Sequence, residues 1–245
     1  MKFLVCISNV PDTTAKITFT EGKTLNSAGI QFIINPYDEI ALTRALELKE
    51  AAGGGTVTVV HVGPSSVEPT IRKALAIGAD DAVRINADPA DAFFVASQIA
   101  EFARKNNFDL ILTGRESIDY NSAQVAGMLG ELLGLPSVCV VTKLDINGTE
   151  ALLEREIDGG KEMLNCSLPF VLSAQKGMAE PRIPNMRGIM SARTKPLQVI
   201  EPVAVIPLTQ SLKYDLPPAK QSCKMVAPDK MDELVGLLHS EAKVI

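Results

Sequence analysis

Tryptophan is absent from this 245-residue chain, and aromatic residues make up only 4% of it. Proteins that bind single-stranded nucleic acid stack the bases on aromatic side chains, so this chain has few residues from which to build such a surface. The net charge of −5 points the same way, because phosphate backbones are bound by basic patches. We therefore expect no nucleic-acid partner.

Histidine and cysteine are also scarce, and their spacing excludes several kinds of site. The two histidines, His61 and His239, stand alone, and the four cysteines contain no CxxC pair. A zinc site and a Ser/His or Cys/His catalytic pair therefore lack their usual residues. Scattered cysteines are typical of a reducing compartment, so we expect the protein in the cytoplasm.

Two common nucleotide-binding signatures are missing, as is any long apolar run. There is no GxxxxGK[ST] phosphate loop, and Gly53–Gly55 is not a GxGxxG fingerprint that opens a helix. No apolar run reaches the roughly 20 residues of a membrane helix, which predicts no membrane insertion. Apolar residues nevertheless make up 46% of the chain, enough for one large core, alone or with an appendage.

Apolar strand-like runs alternate with helical patterns through the first two thirds of the chain. This alternation predicts an α/β fold with an open, mostly parallel, doubly wound sheet of the Rossmann-like kind. The helical stretches keep one apolar face, as at Ala41, Ala45 and Leu48. The predicted strands are 2–8, 56–62, 81–85, 109–113 and 138–141, and the predicted helices are 36–52, 65–77, 90–105 and 121–133.

The pattern changes after residue 145. Asn147-Gly148 predicts a hairpin turn, and the strands 151–157, 161–167 and 170–174 then form an antiparallel extension of the sheet. A polar, proline-bearing stretch at 211–224 predicts an extended segment, and 229–241 predicts a final amphipathic helix. We therefore divide the chain into an α/β domain, 1–200, and a C-terminal tail, 201–245.

The loop between the fourth predicted strand and the following helix is the best candidate for a binding site. It runs from Gly114 to Gln124 and is rich in small and polar residues. The first N–H groups of a helix have no internal partner and attract anions, phosphate especially. Asp119, Asn121 and Ser122 are suited to cap the helix, which is the commoner use of such residues, and the alternative is that Asn121 and Ser122 reach a ligand.

Three loops should converge at the carboxyl edge of the predicted sheet, where ligands bind in folds of this kind. They are Cys6–Asn9, Asn35–Asp38 and Gly114–Gln124. Asn35 is expected to cap the helix that begins at Pro36. Ser65 and Glu68 have the spacing of a capping box at the next helix.

The segment from Pro181 to Ile200 carries four basic residues and no acidic one. Its prolines and Gly188 argue against a long helix there. Methionine packs adaptably, so Met186 and Met190 within a basic segment indicate a docking surface. A solvated connection is the alternative.

The most specific motif of the chain is Glu154-Arg-Glu-Ile-Asp-Gly-Gly160, which is followed by Leu168-Pro169, Glu180-Pro-Arg182 and Ile189-Met-Ser-Ala-Arg-Thr-Lys195. These motifs resemble the beta subunit of electron transfer flavoprotein. The resemblance covers nearly the whole chain. It implies a non-catalytic electron carrier in a heterodimer, in which the alpha subunit holds the redox FAD and the tail of this chain packs on that partner.

In most members of that family the beta subunit buries an AMP. The resemblance implies that adenosine would contact the first two loops and that phosphate would meet the helix start at 121–125. The cofactor-binding residues carried over are Cys6, Asn35, Pro36, Tyr37, Asp38, Val62, Gly114, Asp119, Asn121, Ser122, Ala123, Gln124 and Val125.

The segment 182–190 corresponds to the family's recognition loop, which anchors partner dehydrogenases. Arg182, Met186 and Ile189 would then bind acyl-CoA or other dehydrogenases. Met186 stands where the family commonly has leucine, and Thr13 stands where some members place a tyrosine near the flavin.

Three other functions remain open at this stage. In the electron-bifurcating branch of the family, a second FAD replaces the AMP, although Glu154–Gly160 looks more like the AMP-binding members. A nucleotide-sensing domain without a redox role is a second alternative. A free-standing adenine-nucleotide hydrolase or transferase is the third, and the lack of a nucleophile–base pair argues against it.

Overall fold

Thirteen strands and six α-helices form within residues 1–219 and 222–245, which the computed structural model describes. The strands are β1 (Lys2–Cys6), β2 (Asn9–Pro11), β3 (Phe19–Thr20), β4 (Thr24–Leu25), β5 (Phe32–Ile34), β6 (Thr56–Val62), β7 (Asp81–Ile85), β8 (Leu110–Gly114), β9 (Ser137–Asn147), β10 (Glu150–Ile157), β11 (Gly160–Ser167), β12 (Phe170–Ala174) and β13 (Leu197–Ile200). The helices are α1 (Pro36–Ala51), α2 (Glu68–Ile77), α3 (Ala92–Asn106), α4 (Val125–Leu133), α5 (Met186–Ala192) and α6 (Met231–Leu237).

Nine of these strands form one sheet in the order β11-β10-β9-β12-β8-β1-β6-β7-β13. In this spatial order, every neighbouring pair between β9 and the outer strand β13 is parallel. At the other end of the sheet, β10 pairs antiparallel with both β9 and β11. The predicted fold class, a mostly parallel sheet with an antiparallel extension, is confirmed. The assignment of 170–174 to that extension was wrong, because β12 lies between β8 and β9 and is parallel to both. The order of strands along the chain reverses between β1 and β8, so a crevice opens beyond their carboxyl ends.

Both faces of the sheet are covered by helices. Along β1, Phe3 and Val5 enter the core beneath α1 and α2, whereas Leu4 and Cys6 enter the core beneath α3 and α4. Alternate residues of a strand point to opposite faces, so a strand buried on both sides must be apolar throughout. This is why β1 and β8 contain the apolar runs Phe3–Cys6 and Leu110–Leu112. The strands β6 and β7 also bury His61 and Arg84, whose side chains are hydrogen bonded.

Several predicted strand bounds are confirmed and others are wrong. The strands β6, β7 and β12 have the predicted ends. The strand β9 runs to Asn147 rather than ending at Val141, because a bulge lets it continue into the pairing with β10. At this bulge Val140 has a φ of 62°, and its N–H donates to Ser173 Oγ at 2.9 Å. A positive φ is unusual for a β-branched residue, and no sequence pattern signalled it.

The predicted starts of the helices were less accurate than the predicted bounds of the strands. The helix α4 begins at Val125 rather than Asn121, because Asn121 and Ala123 have φ angles of 51° and 52°, which a right-handed helix excludes. The predicted capping box does not form; a 3₁₀ turn over Ser65–Val67 precedes α2 instead. Asp91 caps α3 by accepting from the N–H of Phe94 at 2.7 Å.

Short elements escaped prediction altogether. The strand β2 pairs with β5, the strand β3 pairs with β4, and β13 joins the edge of the main sheet beside β7. Each of these strands has two to four residues. So few residues do not establish a periodic pattern.

The C-terminal tail lies along the outside of α3 before it reaches α6. The Gln98 amide donates to the Val203 carbonyl and accepts from the Val203 N–H, both at 2.8 Å. Farther along, Tyr214 stacks on Phe19 with ring centroids 4.8 Å apart. The predicted final helix forms as α6 with a π-helical turn after it, and none of the residues of α6 is buried. Residues 220–221 of the predicted extended segment lie outside the described residues.

Candidate functional site

The three loops that were expected to converge meet at the crevice between β1 and β8. Ligands in open α/β sheets bind at this kind of reversal in strand order. Side chains from the start of α1 hold the loop after β1 and the loop after β8 on either side of it.

Asp38, in the first turn of α1, joins the two strand ends. Its Oδ2 accepts from the Ser8 N–H at 2.7 Å, and its Oδ1 accepts from the Gly114 N–H at 2.9 Å. We call this pair of hydrogen bonds the Asp38 bridge. Only 3% of the residue is exposed, and this burial raises the pKa of its carboxyl to about 7, although both hydrogen bonds favour the charged form.

Asn35 holds the next part of the same loop. Its Nδ2 donates to the Glu116 carbonyl at 2.8 Å, and its Oδ1 accepts from the Ile118 N–H at 3.2 Å. The prediction that the Asn35 side chain caps α1 was therefore wrong, because the amide is fully buried and bonded elsewhere. Pro36 is the first residue of the helix, as predicted.

Gly114 is in such close contact with α1 that no side chain fits there. A Cβ on this residue would lie 2.2 Å from Asp38 Oδ1 and 2.7 Å from Tyr37 Cβ. The nearby Cys6 and Val62, at the ends of β1 and β6, are buried on the opposite face of the sheet. Burial raises the pKa of the Cys6 thiol far above its usual range, so this cysteine is not a nucleophile.

The remaining predicted residues form an exposed rim. Residues 119–124 are exposed, and Val125, the first residue of α4, is half-buried. A turn closes this rim through the Asn121 N–H, which donates to the Ser117 carbonyl at 2.8 Å. Within the described part of the chain no side chain caps α4, so the capping alternative for Asp119, Asn121 and Ser122 is not realised. The first N–H groups of this helix thus remain available to an anion.

The predicted docking segment, 182–190, is fixed at two points. Arg182 donates from both terminal nitrogens to the Glu50 carboxylate, at 2.6 and 2.8 Å. In the middle of the segment, Asn185 caps α5 by accepting from the Gly188 N–H at 2.8 Å, and α5 continues past residue 190 to Ala192. The second half of the segment is therefore a short helix and not a loop.

The helix α5 is held tightly against α2. A Cβ on Gly188 would lie 2.4 Å from the Ala76 carbonyl oxygen, and Arg72 Nη1 donates to the Ala192 and Lys195 carbonyls, both at 2.7 Å. The segment therefore forms a rigid support that holds apolar side chains in solvent. Ile183 is 92% exposed and Met186 is 72% exposed.

The chain matches known proteins over most of its length. A family model described as electron transfer flavoprotein domain matches residues 23–205. The chain is 40% identical to "Electron transfer flavoprotein subunit beta" of Bacillus subtilis (strain 168), with both chains covered completely. It belongs to the electron transfer flavoprotein beta-subunit family.

Other members of the electron transfer flavoprotein family show similar agreement. The subunit beta of Syntrophomonas wolfei is 42% identical, with 90% of this chain and 87% of that protein covered. The human subunit beta is 35% identical, with 82% of each chain covered. The resemblance seen in the motifs is thus confirmed.

The described residues form neither a membrane-spanning helix nor a metal cluster. Over residues 1–219 and 222–245, helices that combine the length and apolar character needed to cross a bilayer are absent. The same ranges hold no cluster of three or more His, Cys, Asp or Glu side chains arranged for a metal ion.

The raised pKa of Asp38 predicts a pH dependence of stability. An unfolded aspartate has the lower, ordinary pKa, so between about pH 4 and pH 7 the folded chain binds more protons. Asp38 should therefore contribute a fall in the free energy of unfolding as the pH rises through this range, by up to about 1.4 kcal/mol per unit, with no further change above it. Burial lowers the pKa of His61, which contributes the opposite slope, so the Asp38 contribution is the difference between the wild-type protein and the Asp38→Asn variant. Urea unfolding at several pH values measures this slope.

The control is a pair of isosteric variants. Asp38→Asn should remove this contribution to the slope, whereas Asp80→Asn should retain it. Asp80 also accepts a strand N–H, from Val57 at 2.7 Å, but it lies near the amino ends of the strands, is partly exposed and pairs with Lys49. Equal slopes in the wild-type protein and the Asp38→Asn variant would contradict the assignment.

Proposed function

We propose that this chain is the beta subunit of a heterodimeric electron transfer flavoprotein that binds AMP without turning it over. It would pass electrons from acyl-CoA or other dehydrogenases through the FAD of an alpha subunit. Family membership supports the electron-transfer role. The observation that carries the AMP assignment is the crevice between β1 and β8, which has the uncapped start of α4 at its rim.

The residues around this crevice fit a nucleoside monophosphate. The phosphate would lie against the N–H groups at the start of α4, where the helix dipole favours an anion. The adenosine would lie against the loops 6–9 and 35–38 and the end of β6. Asn35 and Asp38 would contribute their backbone, because their side chains are buried and already hydrogen bonded.

We infer a cytoplasmic location from the thiols. All four cysteines are free. Free thiols support the cytoplasm, where disulfides are rare. The flavin itself would be held mainly by the alpha subunit.

Nucleotide content tests the AMP assignment. Denaturing the purified heterodimer should release AMP in about equal proportion to protein, because a buried, non-catalytic nucleotide survives purification, and mass spectrometry identifies it. Release of FAD in excess of one per heterodimer would assign the chain to the bifurcating branch. Release of no adenine nucleotide would contradict the pocket.

The docking segment supports a second part of the proposal. Its exposed apolar side chains stand on a rigid support, which suits insertion into an apolar pocket of a dehydrogenase, and Met186 is the central one. Arg182 would act indirectly, because Glu50 already pairs with its guanidinium. Ile189 is less exposed than Met186 and would lie at the rim of the contact.

Replacing Met186 by alanine should weaken docking. Interface energy is concentrated in a few buried anchors, so the loss should be roughly 1–2 kcal/mol, seen as slower electron transfer from the dehydrogenase at limiting concentration. Nucleotide content and thermal stability should remain unchanged. Met163→Ala on β11, another exposed methionine, is the matched control. Normal docking combined with loss of nucleotide would instead make Met186 a structural residue.

The tail supports the heterodimer. The helix α6 has no buried residue, although Met231 and Val235 are apolar, and the preceding residues Leu208 and Leu212 are exposed as well. We therefore place 201–245 against the alpha subunit, which would bury this apolar surface.

Hydrogen exchange tests this placement. The amides of α6 should exchange within the fastest class in the isolated chain and become protected when the alpha subunit is added, because only the complex buries the helix. The amides of α3 serve as the internal control and should change little. Equal protection of α6 in both samples would refute the placement.

A further inference from the structure

We propose that Asp38 is a positioning residue for the nucleotide site: the Asp38 bridge sets the distance between the loops after β1 and β8, which together must hold the nucleotide. This inference rests on the proposed binding of AMP. It assigns to one side chain a role separate from contact with the ligand.

Asp38 has no free atom with which to contact a ligand. Each carboxylate oxygen accepts a backbone N–H, one from Ser8 and one from Gly114, and the residue is almost completely enclosed. A carboxylate between two main-chain donors is an acceptor at both ends. The side chain therefore acts on the site only through the two loops that it joins.

The bridge lies where the sheet itself cannot hold the two loops. The pairing of β1 with β8 includes Phe3, Leu4 and Val5 with Leu110, Ile111 and Leu112. Beyond Leu112 these two strands are not paired with each other, whereas β8 remains paired with β12 on its other side as far as Gly114. The Asp38 bridge thus replaces the missing ladder hydrogen bonds at the crevice.

The residues around the Asp38 bridge are tightly packed. Gly114 touches α1 so closely that an added methyl group would overlap Asp38 Oδ1. Asn35 fixes the next residues of the same loop through Glu116 and Ile118. A change at Asp38 would therefore be transmitted to the rim that leads into α4.

The test replaces one acceptor by a donor. In Asp38→Asn the amide NH₂ must face either the Ser8 or the Gly114 N–H, so one hydrogen bond of the bridge is lost. In the heterodimer stripped of nucleotide, calorimetric titration with AMP should give a Kd raised by roughly tenfold or more, about 1.4 kcal/mol. The amide NMR signals of Ser8 and Gly114 should shift in the variant before AMP is added.

Two variants provide the control and a second approach. Asp80→Asn also alters a carboxylate that accepts a strand N–H, but at the far edge of the sheet, and should bind AMP normally. Gly114→Ala should weaken AMP binding as Asp38→Asn does, because the added methyl group would overlap Asp38 Oδ1 and disrupt the Asp38 bridge. Gly54→Ala, where an added Cβ meets nothing within 4 Å, is its control.

The outcomes separate the two proposals. Wild-type heterodimer that does not bind AMP refutes the proposed nucleotide site itself. Wild-type and Asp38→Asn proteins that bind AMP equally well refute the positioning role and leave the nucleotide site standing. An equal loss of affinity in Asp80→Asn also refutes the positioning role, because the effect would then follow from general destabilisation.

Discussion

A parallel sheet that is buried on both faces imposes its order on the rest of this molecule. The strand β1 pairs with β6 on one side and β8 on the other, and helices cover both of its faces. A parallel connection must cross over a face of the sheet, so covering both faces requires the chain to reverse its direction of winding once. The crevice at that reversal is a geometric result of the winding and exists before any ligand is considered.

The two candidate surfaces of the chain differ in how they are built. At the crevice, buried polar side chains are used entirely to hold the backbone in place. At the docking segment, ion pairs and caps fix the backbone while apolar side chains are left in solvent. The first arrangement suits a permanently held ligand, and the second suits a partner that associates and leaves, because a preorganised anchor costs little to order on binding.

Local sequence patterns predicted the features of the fold that depend on neighbouring residues. The strands β6, β7 and β12 were located because most of their residues are apolar and buried, and the fold class followed from the alternation of strands with helices. The start of α4 was misplaced because two residues before it have positive φ angles, which only glycine signals reliably in a sequence.

The location of the site was predicted from the sequence, but the roles of its side chains were not. The three loops were named in advance because the carboxyl ends of parallel strands share one edge. The role of Asn35 was missed because its side chain bonds residues 81 and 83 positions away. An asparagine that caps a helix and an asparagine that bonds a distant loop are identical in the sequence, so only the folded chain distinguishes the two roles.

The strand β13 has a consequence for how the protein behaves in concentrated solution. It is an outer strand of the main sheet and has only four residues. Pro196 comes directly before it, and Pro202 follows two residues after its end. Proline cannot donate a ladder hydrogen bond. Another chain that paired with this edge would therefore find only four residues along which to extend the sheet. The flanking prolines should thus help to keep copies of this protein from joining edge to edge.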